Sequence, residues 1–223
     1  MSIPDLLRAA VVIVAAYLVG SIPWGVIVAR AAGGPDPRSL GSGRTGGSNM
    51  MRAVGPRLAL VSGLLDAAKG SVAVLIAYAL GAGALVAVLA AFLSIVGHSR
   101  SIFLGFGGGR GVAPAFGALL VISPLVTIAI LPIFIGVIAI SKYSSLGSLS
   151  ASAASAVFLI IQVAVTGMDP WYYTYGVGGA ALIWIFHKDN IGRLLAGTER
   201  KIGTPKVREA VPPVSGERGQ GPA

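Results

Sequence analysis

The chain has 223 residues, 55% of them apolar and only 11% charged, and its mean hydropathy is +0.83, a balance that excludes a soluble globular domain and defines an integral membrane protein. Seventeen Lys and Arg against eight Asp and Glu give a net charge of +9. The basic residues lie between and after apolar runs, without an aromatic-interleaved basic face, so they report membrane topology and exclude nucleic acid as the expected partner.

Apolar runs at residues 9–30, 57–80, 83–97, 111–122, 125–141, 146–166 and 172–187 predict an all-α bundle of seven transmembrane helices. The first run is longer than the h-region of a signal peptide and similar runs follow it, so it reads as a retained helix. The third and fourth runs fall short of the roughly 20 residues a full crossing needs. Such helices tilt steeply or cross part of the bilayer; as a re-entrant pair they would lower the count to five without changing the orientation of later helices. The loops at 30–57, 98–110 and 142–145, and the segment after His187, carry nearly all the Lys and Arg, whereas the joints at 81–83, 123–124 and 167–170 carry none. The positive-inside rule therefore places the first set in the cytoplasm and the N-terminus outside. Residues 1–204 read as one transmembrane domain, and 205–223, rich in Pro, Gly and charge, as a disordered cytoplasmic tail.

Two glycine-rich stretches stand on the basic side. Gly41-Ser-Gly-Arg-Thr-Gly-Gly-Ser-Asn49, with Arg52 after it, interleaves hydroxyls and guanidinium groups with four glycines. Gly105-Phe-Gly-Gly-Gly-Arg-Gly111 places Arg110 among five glycines. Glycine leaves successive N–H groups uncovered, so such runs can cradle a phosphate while Arg44, Arg52 or Arg110 grips it bidentately. The competing readings are close helix packing by glycine and arginines that only enforce orientation. In the second apolar run Asp66 and Lys69 share a helix face, roughly 14 Å in from Arg57 at the α-helical rise. A charge at that depth marks either a functional site or an ion pair that fixes helix packing. His98 and His187 end apolar runs at the same level as the glycine loops, as proton shuttles, phosphate donors or helix C-caps. Around His187, Asn190, Arg193 and Glu199 crowd one short segment.

The chain has no cysteine, which excludes disulfides, thiolate metal sites and a cysteine nucleophile, and two histidines are too few for a histidine-based metal cage. No metal or cofactor is expected. Neither a Gly-x-Ser-x-Gly elbow nor a Walker A ending is present. The residues alone thus lead to a membrane protein with a cytosol-facing site for an anionic ligand, and leave enzyme and transporter open.

Several stretches together, in order, resemble one family. They are Gly20-Ser-Ile-Pro-Trp-Gly25, Asp36-Pro-Arg-Ser-Leu-Gly-Ser-Gly-Arg-Thr-Gly-Gly-Ser-Asn49 with Arg52, Leu65-Asp-Ala-Ala-Lys-Gly70, Gly97-His98 with Phe103-Leu-Gly-Phe-Gly-Gly-Gly-Arg-Gly-Val-Ala113, and His187-Lys-Asp-Asn-Ile-Gly-Arg-Leu-Leu-Ala-Gly-Thr-Glu199. The sequence is similar to the bacterial acyl-phosphate:glycerol-3-phosphate acyltransferases, the PlsY family. The resemblance implies a seven-helix enzyme of the bacterial cytoplasmic membrane, with its active site facing the cytosol. It implies acyl transfer from acyl phosphate to the 1-hydroxyl of glycerol 3-phosphate, giving lysophosphatidic acid and phosphate without metal or coenzyme. By the same resemblance Ser42, Arg52, His187 and Asn190 are catalytic-site residues. It also implies that Arg110 and the second-loop glycines Gly108, Gly109 and Gly111 hold substrate phosphates; from the residues themselves Gly41, Gly43, Arg44 and Asn49 are expected to bind phosphate as well, with Asp66, Lys69, His98 and Glu199 as supporting polar residues.

Four positions depart from the family pattern: Arg44 replaces Asn, Gly107 and Arg110 replace the two Lys, and Pro114 replaces Thr. Arg44 is expected to supply the charge missing at Gly107, and Pro114 to reshape the start of the following helix. The alternatives are a small-anion transporter, for which no internal repeat is found, and a non-catalytic diverged homologue.

Overall fold

A computed structural model describes residues 2–202; the tail expected at 205–223 lies outside them. The described residues form ten α-helices and no strand: α1 (Ile3–Ser21), α2 (Trp24–Ala31), α3 (Gly47–Val54), α4 (Pro56–Ala79), α5 (Gly83–Ser99), α6 (Val112–Ile122), α7 (Pro124–Ser141), α8 (Ser144–Thr166), α9 (Trp171–Phe186) and α10 (Lys188–Leu195). Four stretches are long and apolar enough to cross a membrane: 3–31, 56–79, 124–141 and 144–166. α5 and α6 are shorter, with 17 and 11 residues, and they are the two apolar runs expected to be short.

The first apolar run is not one continuous helix. Pro23 has no N–H to offer the preceding turn, so α1 stops at Ser21 and α2 restarts at Trp24. The N–H groups of Val26 and Ile27 both donate to Pro23 O, and the Ile22 carbonyl accepts from the Trp24 N–H at 3.1 Å in place of an i+4 helical donor. Two amphipathic helices, α3 and α10, also lie within segments read from sequence as loop. Each has only eight residues, too short a window for its period to register.

The packing reverses the soluble pattern. The core is rich in alanine, including Ala16, Ala73, Ala77, Ala87, Ala90, Ala91 and Ala118, while Leu64, Leu75, Leu125, Ile128, Ile135, Ile161 and Val177 point outward. With lipid as apolar as leucine, helices gain by bringing backbones together through small residues. Two crossings show this at glycine. On α4 and α6, Gly70 lies against the Pro114 carbonyl and Gly117 against Ala67; on α1 and α5, Gly20 lies against Ser94 and Gly97 against Tyr17 O. A Cβ at any of the four would overlap backbone. α7 packs on α8 and α8 on α9, so α7, α8 and α9 form a second wall opposite the α4 and α6 pair.

Candidate active site

Between those walls lies a cavity of about 610 Å³, lined by residues of α4, α6, α7, α8 and α9 and by both glycine-rich loops. One end is polar, with Ser42, Arg44, Ser48, Arg110 and His187. The remainder is apolar and includes Leu64, Phe116, Leu131, Phe134, Leu159 and Ile183.

The first loop is built around Asn49, which is 2% exposed. Its amide nitrogen donates to Pro37 O (2.5 Å), Leu40 O (2.9 Å) and Arg44 O (2.8 Å), and its oxygen accepts from the Ser42 N–H at 3.4 Å. One side chain thereby draws three loop carbonyls together, its two amide hydrogens shared among them; Pro37 O and Leu40 O also take backbone N–H groups of the loop. Gly41 and Gly43 have φ of +52° and +66°, and a Cβ at Gly41 would collide with the Asn49 oxygen. The loop so folded presents Ser42 and Arg44 to the cavity. It is tied across to α8 by Ser48 and Ser144 (Oγ to Oγ 2.6 Å) and to α10 by the Arg44 to Asp189 ion pair (3.2 Å).

The second loop folds back on the end of α5. Ser101 and Gly107 form an isolated antiparallel bridge, Gly105 and Phe106 take left-handed φ of +61° and +62°, and the Gly109 N–H donates to His98 O at 3.0 Å. A Cβ would point inward at three of the five glycines, at Gly108 to the His98 carbonyl, at Gly109 to the His98 ring and at Gly111 to Ile95, whereas at Gly105 it would meet nothing. Close packing is therefore one reason for these glycines. The nest expected from sequence is formed instead by the loop end and α6, where the N–H groups of Arg110, Gly111, Val112 and Ala113 have no hydrogen-bond partner among the described residues. Arg110 Nε is buried and also lacks a partner. Burial, with the nearby Arg44 adding repulsion, pushes the Arg110 guanidinium down to about 10. An uncompensated cation beside a helix N-terminus is an environment for an anion. Pro114 falls in the first turn of α6, where its missing N–H leaves no helical bond unmade, so the helix start is not reshaped.

His187 is 2% exposed and caps α9. Its Nδ1 lies 2.8 Å from Ile183 O, a pure acceptor, so Nδ1 carries the proton and Nε2 is left as acceptor. Burial pushes the ring down to about 4, which keeps it neutral near pH 7. Behind it Glu199 accepts from Asn190 Nδ2 (2.6 Å), Ser145 Oγ (2.9 Å) and Arg193 Nε (2.8 Å). Burial alone would raise the Glu199 carboxyl, but these donors outweigh it and hold it below the usual range.

The structure brings Ser42, Arg44, Asn49, Asp66, His98, Arg110 and His187 to one cavity. Arg52, Asn190 and Glu199 stand outside its lining: Arg52 Nη1 reaches Ser48 O (3.3 Å) and its aliphatic stem lies beside Gly41, while Asn190 holds Glu199. Asp66, Lys69 and His98 form one buried cluster, with Lys69 Nζ 2.7 Å from Asp66 Oδ1 and 3.2 Å from His98 Nδ1. Sequence reasoning passed over the α8 serines. Ser144, Ser148, Ser152 and Ser155 all line the cavity, and their spacing of three or four on an apolar helix was the available signal.

A helical membrane protein whose apolar cavity, held between two helix walls, ends in cations and free N–H groups has the shape and charge for amphipathic, phosphate-bearing substrates. The comparisons specify the class further. The family model for glycerol-3-phosphate acyltransferase matches residues 10–197, and the chain belongs to that family. It is 46% identical over 192 residues to glycerol-3-phosphate acyltransferase 2 of Moorella thermoacetica, covering 86% of this chain and 96% of the relative. It is 41% identical over 198 residues to the glycerol-3-phosphate acyltransferase of Thioalkalivibrio sulfidiphilus, covering 89% and 96%. Among solved structures it is similar to PlsY, an integral membrane glycerol 3-phosphate acyltransferase, in its glycerol 3-phosphate form. There the TM-score is 0.80 and the identity 34%, over 88% of this chain and 96% of the other.

Proposed function

We propose that this protein transfers a fatty acyl group from acyl phosphate to the 1-hydroxyl of glycerol 3-phosphate, releasing lysophosphatidic acid and inorganic phosphate. The observation that carries the reading is the two-ended cavity, with Arg44, Arg110 and the α6 N-terminus at one end and an apolar interior beyond. Phosphate groups fit the first and an acyl chain the second.

Acyl phosphate is an activated mixed anhydride, so the protein's tasks are to bring two anions together and to offset their repulsion. Arg110 and the free N–H groups at the α6 N-terminus hold one phosphate, and Arg44 and Ser42 meet the other. Asn49 fixes the loop that carries Ser42, and Arg52 braces that loop. His187 Nε2 accepts the hydrogen bond of the glycerol hydroxyl and aims its oxygen at the acyl carbon. An imidazole held near pKa 4 is a weak base, which favours orientation over full proton removal. The hydroxyl oxygen then bonds to the acyl carbon, the bond from that carbon to the phosphate oxygen breaks, and the departing phosphate takes the hydroxyl proton. Arg44 and Arg110 line the same cavity at its polar end, which sets both cations against one anionic substrate pair. That proximity supports Arg44 as the replacement for the charge absent at Gly107.

In the membrane, the segment broken at Pro23 and helices α4 to α9 make seven crossings, α6 only partly, with the N-terminus outside. The cationic end of the cavity faces the cytosol of a bacterium, on the side where the basic loops lie.

The test is phosphate release by the purified, detergent-solubilised protein given palmitoyl phosphate, with and without glycerol 3-phosphate. Release that requires glycerol 3-phosphate, yields lysophosphatidic acid and is lost in Arg52→Ala is expected. A folded protein that consumes neither substrate refutes the reading.

A further inference from the structure

The Asp66, Lys69 and His98 cluster lies under the second glycine loop, and nothing in the reaction above uses it. All three side chains are buried, at 4%, 3% and 7% exposure. Lys69 Nζ is 2.7 Å from Asp66 Oδ1, 2.8 Å from Ile22 O and 3.2 Å from His98 Nδ1. His98 Nδ1 is also 3.5 Å from Asp66 Oδ1. The ammonium therefore ties α4 to the Ile22 carbonyl at the Pro23 break, which it shares with the Trp24 N–H, and to the end of α5. A desolvated cation held by three partners fixes their relative positions, because losing any one leaves charge or dipole unpaired.

The far side of the same imidazole is the seat of the loop. A Cβ at Gly109 would overlap His98 Nε2, so the loop backbone rests directly on the ring, and the Gly109 N–H is bonded to the His98 carbonyl. Arg110 is the next residue, and its side chain turns into the cavity. A second close contact pins the other end of the loop to the same stretch of α4, where Gly70 and Ala67 meet Pro114 and Gly117 of α6.

We propose that Asp66, Lys69 and His98 are positioning residues for phosphate binding: the ion pair locks the imidazole, the imidazole seats Gly109, and the seated loop aims Arg110 and the α6 N-terminus at the substrate phosphate. The proposal rests on the acyltransferase reading for its kinetic consequences, and on geometry alone for the seat.

Two sets of variants test it. In Asp66→Asn/Lys69→Met both charges are removed together, so no lone charge is buried and the fold is expected to persist. The expected result is a KM for glycerol 3-phosphate or acyl phosphate raised about tenfold or more, with kcat changed much less and the melting temperature kept. Faster amide hydrogen exchange is expected across residues 105–111. The second set is Gly109→Ala, His98→Ala and their combination. If the ring is the seat, the new methyl and the missing imidazole offset one another, and the double variant is less impaired than the product of the single effects. Unchanged KM and unchanged exchange in a folded Asp66→Asn/Lys69→Met protein would overturn the proposal, as would strictly multiplicative single effects at Gly109 and His98. Hydrogen exchange reads the seat in the absence of turnover, so a wild-type protein inactive on both substrates counts against the acyltransferase reading only.

Discussion

Arg110 and His187 illustrate how burial is used in opposite ways at one site. Arg110 is a buried cation whose Nε lacks a partner among the described residues, and in the proposed reaction substrate phosphate would complete it. Arg110→Ala should raise KM for a phosphate-bearing substrate at least tenfold. Arg110→Lys should recover only part of this, since a point charge cannot make two parallel bonds; steady-state kinetics on the two variants decide it. His187 is kept neutral. A histidine whose folded pKa of about 4 lies below its ordinary 6.5 adds stability that is full above 6.5 and is lost as pH falls towards 4. Melting temperature should therefore decline between pH 6.5 and 4, and His187→Gln, which cannot titrate, should flatten that decline. A decline of the same steepness in the variant would remove His187 as its source. His187 was visible in the sequence as a polar residue at the end of an apolar run, but its tautomer and neutrality follow from Ile183 O and from burial, which no spacing records.

At the scale of elements, the helix pair α4 and α6 forms the floor beneath the phosphate end, and its closeness depends on two glycines. Gly70→Ala and Gly117→Ala should each cost about 1–3 kcal/mol through overpacking against rigid backbone, and should lower activity because α6 carries the free N–H groups. Gly63 lies on the same helix α4, yet a Cβ there meets nothing within 4 Å, so Gly63→Ala should be nearly neutral. Thermal unfolding of the three variants in one detergent separates the cases. The apolar runs anticipated α4 to α9 to within about two residues, because burial in lipid demands continuous hydrophobicity whatever the tertiary contacts. The break at Pro23 and the short helices α3 and α10 were not anticipated, since tertiary contacts rather than length stabilise elements of eight residues.

Over the whole molecule, a cavity that holds the acyl chain, as proposed above, would limit its length. From His187 to Tyr175 along α9 the wall runs roughly 18 Å at the helical rise, somewhat more than half the ~30 Å hydrocarbon core, which is the span of one fatty chain in a bilayer. Gly179 stands roughly 12 Å along that wall, lines the cavity, and has only the Tyr175 ring near its missing Cβ, at 3.7–3.9 Å. Gly179→Leu should thus fill the passage without straining the helix, and shift the preferred donor to shorter acyl phosphates at unchanged affinity for glycerol 3-phosphate. A chain-length profile identical to wild type would place the acyl group elsewhere.

Residue order alone places the chain in a membrane, locates its longer helices and carries the motifs of the family, with phosphate binding by the two glycine-rich loops as an expectation. Those properties are local, since hydrophobic run length, charge placement and residue type act over a few neighbouring positions. Which polar residues face the cavity follows from the tertiary structure. Ser42, Arg110 and His187 come together from segments some seventy residues apart, Asn49 and Glu199 turn their side chains to hold the frame, and the α8 serines complete the wall. The physical reason is that a side chain's role follows from the partners that satisfy it, and in this protein nearly all of those partners belong to other helices.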